Sequence, residues 1–134
     1  MSNKTPASNL NTFSVAIDNG PSNNFYYATG HVFRELLNLT GTDENLEAHI
    51  QQLEFRLNPT ISKGQYTLHS PEVNGRVFIV TGIVNRTYLT RIFQLDIKNH
   101  LNNYIEGDYY IEADEVQGGT GGVKLQGDFT ITYP

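Results

Sequence analysis

Ile105-Glu106-Gly107-Asp108-Tyr109-Tyr110-Ile111-Glu112-Ala113-Asp114 decides how this chain folds. Ile105, Tyr109, Ile111 and Ala113 occupy alternate positions, opposite Glu106, Asp108, Tyr110, Glu112 and Asp114. Apolar residues at a spacing of two belong to a half-buried strand, because successive side chains of a strand point to opposite faces. The same period recurs downstream in Val123, Leu125, Phe129, Ile131 and Tyr133, after a flexible Gly118-Gly119-Thr120-Gly121-Gly122 turn. It recurs upstream in Leu89, Phe93, Leu95 and Ile97, where Arg91 is the exception and needs a strand end or a partner.

Further upstream, Val77-Phe78-Ile79-Val80-Thr81-Gly82-Ile83-Val84 is apolar on both faces, which predicts a central strand covered on both sides. Asn74-Gly75 predicts a type I′ hairpin joining that strand to one carrying Tyr66 and Leu68, since both central residues of such a turn need positive φ. Asn85-Arg86 supplies the next turn, and Pro71 marks an edge. The second half therefore reads as a five-stranded meander.

The first half is less regular. Phe13, Val15 and Ile17 alternate with polar or small residues and predict a strand, ended by the turn chemistry of 18–24; Phe25, Tyr26 and Tyr27 begin a second. Residues 31–57 support two readings. Leu46, Ile50 and Leu53 fall at helical spacing behind a capping Thr42 or Asp43, which predicts a short helix over 43–52. Leu53, Phe55 and Leu57 alternate, so an all-strand path with a bulge near Gln51-Gln52 is the competing reading. The sum is mainly β: an antiparallel sandwich or barrel of about seven or eight strands, as one domain over 10–134 behind a flexible tail at 1–9.

Three strands share a local pattern of polar residue, Gly, Asp or Gln, aromatic, any residue, aliphatic: Lys63 to Leu68, Glu106 to Ile111 and Gln126 to Ile131. The glycine leaves a gap on the core face that a ring from the adjacent strand could fill.

Composition narrows function mainly by exclusion. With a net charge of −5, nine thinly spread basic residues do not make a phosphate-binding surface, so neither nucleic acid nor an anionic membrane is an expected partner. No cysteine is present, which rules out disulfides and thiolate metal sites. No apolar run approaches the ~18 residues of a spanning helix. The first ten residues hold no apolar leader core, so the expected location is the cytoplasm, with leaderless secretion also compatible.

His31, His49, His69 and His100 lack metal-ligand spacing, and neither a metal nor a cofactor is expected. The glycine-rich run before Lys124 lacks the Gly-Lys-Ser/Thr of a phosphate loop, and no serine sits in a Gly-x-Ser-x-Gly elbow. Sequons occur at Asn3, Asn38 and Asn85. The binding candidates are Tyr104, Glu106, Asp108, Tyr110, Glu112 and Asp114, on one face of one strand, with neighbours about 6.5–7 Å apart. Tyr26, Tyr27 and Tyr88 are further rings expected at the surface.

The expected function is non-catalytic: binding an unidentified protein or small molecule, or self-association as a homo-oligomer. A lectin-like carbohydrate or small-ligand binder is the alternative. A hydrolase with a dispersed site, invisible to spacing, is the third. A deep pocket lined by several polar side chains favours a ligand binder or enzyme. A shallow groove with two exposed tyrosines and asparagines favours a lectin, and a flat apolar patch or paired edge strands, with a dimer in solution, favours association.

Overall fold

The computed structural model describes residues 11–45, 48–74, 77–82, 87–116 and 121–134. Its ten strands are β1 Thr12–Ile17, β2 Ser22–Asn24, β3 Tyr27–Phe33, β4 Leu36–Thr42, β5 Ile50–Leu57, β6 Gly64–Thr67, β7 Phe78–Thr81, β8 Tyr88–Leu101, β9 Tyr104–Glu115 and β10 Gly122–Thr132. They form two antiparallel sheets, of order β2-β1-β10-β9-β8-β6 and β3-β4-β5-β7. The architecture is a sandwich rather than a closed barrel.

The inner faces follow from the period-two residues. Phe13, Phe93, Phe129 and Tyr109 of the large sheet converge on Phe55 of the small one, with ring centroids 5.4, 5.1, 6.1 and 5.1 Å from it. Each such pair contributes about 0.5–1.5 kcal/mol beyond its area burial, so Phe55 joins the two sheets. Asn11 closes one seam: its side chain bonds Ala28 O on β3 and both O and N of Thr132 on β10.

The predicted helix over 43–52 is absent: the described residues among 43–49 form a connection outside any helix or strand, β5 takes over at Ile50, and residues 46 and 47 lie outside the described residues. Ile50 and Leu53 do share a buried face. They do so because the β5–β7 register shifts between Ile50 and Gln52, and one extra residue turns a spacing of two into a spacing of three. A bulge imitated a helical turn. Val32, Phe33, Leu36 and Leu37 form the β3–β4 hairpin around Arg34 and Glu35, both at positive φ.

The turn predicted over 18–24 contains β2, a short edge strand paired with Ser14, Val15 and Ala16. The predicted central strand is β7, which lies at an edge of the small sheet and leaves Val80 45% exposed; residues 83–86, including the Asn85-Arg86 turn, lie outside the described residues. The Asn74-Gly75 hairpin also fails. Gly75 lies outside the described residues, but Val73 and Phe78 pair with Leu57 and Glu54 of the same strand, in one direction, and β6 pairs with β8 instead. The meander is therefore β8-β9-β10 alone. The tail at 1–9 and most of the Gly118–122 turn also lie outside the described residues.

β8 carries two bulges. One, at Arg91, sends Leu89 out to 53% exposure, against the face predicted for it. The other, at Lys98, turns His100 inward, where its ring bonds Ile61 O and the Tyr133 hydroxyl.

The repeated glycines make room for specific atoms. At Gly107, a Cβ would lie 2.5 Å from Asp96 O and 3.0 Å from the Phe129 ring, so a ring does fill this gap. At Gly127, a Cβ would lie 2.1 Å from Ser14 O. That carbonyl is turned towards the core and accepts a 2.7 Å hydrogen bond from the buried Tyr109 hydroxyl.

Candidate functional site

Since β9 buries its odd-numbered residues, its even-numbered ones face out from the large sheet. β9 lies between β10 and β8, so this acidic stripe does not guard an edge. Pairing extends the stripe into rows that cross the strands. Asp108 stands opposite Asp128 on β10 and Asp96 on β8. Tyr110 stands opposite Gln126 and Gln94 in the same way. β1 and β2 continue the rows with Ser14, Ala16 and Ser22, and β6 continues them with Gln65 and Thr67.

These side chains line one concavity of about 880 Å³, within the range of ligand sites. Its floor is polar. Among the described residues, the amides of Gln65, Gln94 and Gln126 make no hydrogen bond to the protein. Ser14 is engaged: its Oγ donates to Asp128 Oδ1 at 2.9 Å and accepts from Asp128 N at 3.0 Å.

Three carboxylates in register on adjacent strands oppose folding, because like charges directly opposite one another repel. Lys98, projecting from its bulge, lies 3.5 Å from both Asp96 and Asp108 and offsets part of that repulsion. The lysine is held more basic than usual by Asp108 first and Asp96 second.

Of the six predicted binding residues, Asp108 and Tyr110 line the concavity. Glu112 and Asp114 are drawn into a clamp beside it: Arg91 donates through Nη2 to Glu112 Oε1 at 2.9 Å and through Nε to Asp114 Oδ2 at 3.0 Å. Arg91 thus finds the partner that its place in the sequence called for. The Tyr110 hydroxyl donates to Glu112 Oε2. Tyr110 first, then Arg91, hold the Glu112 carboxyl below the usual carboxylate range. Tyr104 and Glu106 bond each other at 3.2 Å on the same face, outside the concavity.

The sequence reading missed Gln65, Gln94, Gln126, Asp96 and Asp128, because their convergence depends on the register across β8, β9 and β10 and on the pairing of β6 with β8. Of the other predicted surface rings, Tyr27 is 48% exposed, Tyr26 is half-buried against it, and Tyr88 packs on the core and bonds His49 at 3.0 Å. Among the described residues, no three His, Asp or Glu are grouped to hold a metal ion, and no helix is long and apolar enough to cross a membrane. The Asn38 sequon is buried, with its Nδ2 donating to Leu36 O at 3.1 Å; Asn3 and Asn85 lie outside the described residues. Comparison with protein-family models, with curated proteins and with solved structures finds no match to this chain.

Proposed function

We propose that this domain binds a neutral saccharide chain across the concave face of its six-stranded sheet, and does no chemistry on it. The carrying observation is the concavity itself, whose floor combines unpaired amides with a row of carboxylates. A sugar hydroxyl both donates and accepts. Carboxylates supply acceptors of charge-assisted bonds, and amide NH2 groups supply donors. The floor runs over six strands, from Ser22 on β2 to Thr67 on β6, or about 24 Å at the usual inter-strand spacing. That length suits a chain of several sugar units rather than a single ring. Asp96, Asp108 and Asp128 disfavour an anionic glycan; of the nearby cations, Lys98 and Arg91 are already paired, and Lys124 stands opposite Glu112.

A glycan array carrying neutral and anionic oligosaccharides, followed by calorimetry on the hits, tests this reading. Binding confined to neutral chains is expected, with Gln94→Ala and Gln126→Ala each weakening it about tenfold, the effect of losing one hydrogen bond of roughly 1.4 kcal/mol. Silence across the array refutes it.

Self-association is the second reading. It draws support from the β3–β4 hairpin tip, where Val32 and Phe33 are 48% and 59% exposed. A dimer by light scattering that Phe33→Ser converts to monomer would favour it; a monomeric wild type would dismiss it.

A further inference from the structure

We infer that Tyr110 is the stacking platform of the groove, and that Glu112 and Arg91 are positioning residues that hold its ring, which assigns the ligand to saccharides whose equatorial hydroxyls leave an apolar C–H face. The inference rests on the saccharide reading above.

Three rings border the concavity, and two of them belong to the interior. Tyr109 is 4% exposed, and Tyr66 packs against the core opposite Leu95. Tyr110 alone projects outward from the floor, between Gln94 and Gln126. A free tyrosine on a strand turns about two torsions, and binding must then immobilise it. Here the hydroxyl is tied to Glu112 Oε2, which draws the ring along the strand. Glu112 is fixed in turn through its other oxygen by Arg91, and Arg91 is fixed by Asp114. The bulge in β8 at Arg91 is what brings the guanidinium beside β9. Tyr104 and Glu106 repeat the tyrosine–glutamate pair on the same strand, but no cation clamps that glutamate among the described residues and the pair lies outside the concavity. Among the described residues, the complete relay stands only beside the groove.

A double-mutant cycle with cellohexaose as probe tests this. Tyr110→Ala is expected to weaken binding at least about tenfold, as loss of a ring stack does. Tyr110→Phe and Arg91→Gln are each expected to weaken it about threefold, and the pair together no more than Tyr110→Phe alone, since both cut one tether. Losses that multiply overturn the positioning role. Binding of cellohexaose that Tyr110→Ala leaves unchanged overturns the platform while sparing the saccharide reading. Cellohexaose ignored by a protein that binds other neutral glycans overturns the assigned class. A ligand-free readout keeps the tether testable even if no sugar binds. The Glu112 carboxyl, followed by NMR, titrates at higher pH in both Tyr110→Phe and Arg91→Gln, and an unmoved titration overturns the tether. Arg91 is more than half exposed, so its replacement leaves the core intact.

Discussion

Replacing Tyr109 by Phe removes a single oxygen atom and is expected to cost this fold about 2 kcal/mol. The ring stays in its aromatic cluster, so no cavity opens. What is lost is the 2.7 Å bond to Ser14 O, a carbonyl that points inward where the Gly127 side chain would otherwise be. A buried acceptor left without its donor costs about 1–3 kcal/mol. For a chain of 134 residues the unfolding entropy is near 0.28 kcal/mol/K, so a loss of about 2 kcal/mol lowers the melting temperature by about 7 °C. Differential scanning calorimetry reads this directly. Tyr104→Phe is the control, because that hydroxyl meets Glu106 on the outer face and its loss should move the melt by under about 1 °C. A Tyr109→Phe melt within about 1 °C of wild type would refute the claim that this hydroxyl holds the displaced carbonyl.

Burial, and secondarily the charge of Asp128, push the Tyr109 phenol far above its ordinary value. The folded state therefore keeps a proton that the unfolded chain releases above about pH 10; the stabilisation is full below that pH and falls by up to about 1.4 kcal/mol per unit above it. Urea midpoints should drop more steeply in wild type than in Tyr109→Phe between pH 10 and 11, and parallel drops would count against it. Gly127→Ala places a carbon 2.1 Å from a backbone oxygen that cannot swing aside, so β1 and β10 must separate; a loss of about 3 kcal/mol, read by urea unfolding, is expected. Asp108→Asn removes the middle charge of the carboxylate row. It should raise the melting temperature by roughly 2 °C at low salt while weakening saccharide binding, and a variant that binds as well as wild type would deny the row a role in the groove.

The C-terminal strands were legible because their period survives in the structure: Phe93, Leu95, Tyr109, Ile111, Phe129 and Ile131 all face the core. Misreadings arose where one extra residue shifts the phase. The bulge beside Gln51 put Ile50 and Leu53 on one face and mimicked a helix; the bulge at Arg91 reversed the predicted side of Leu89. The apolar run at 77–84 suggested a central strand, but hydrophobicity alone does not report neighbours. Phe78 sits at an edge, capped by the Arg56 guanidinium 4.2 Å from its ring. The outward stripe of β9 was readable as a face because it is local. The glutamines and aspartates that complete the groove come from β8 and β10, on either side of β9, and from β6; the register that sets them opposite Asp108 and Tyr110, and the sheet order that puts β6 beside β8, are not visible in local periodicity.

That order also sets a timetable for a chain leaving the ribosome. All four strands of the small sheet fall within residues 27–81 and pair with one another, so this half can assemble early. β1 precedes the other nine strands, yet apart from the short β2 its neighbour in the large sheet is β10, with Thr12 meeting Thr130. Until that last strand emerges, the apolar side of β1 has no finished sheet to join, and distant pairing of this kind is slow. The nascent sandwich is thus open to misassembly until β10 appears, and the groove, which needs that strand, is the last part of the sandwich to form.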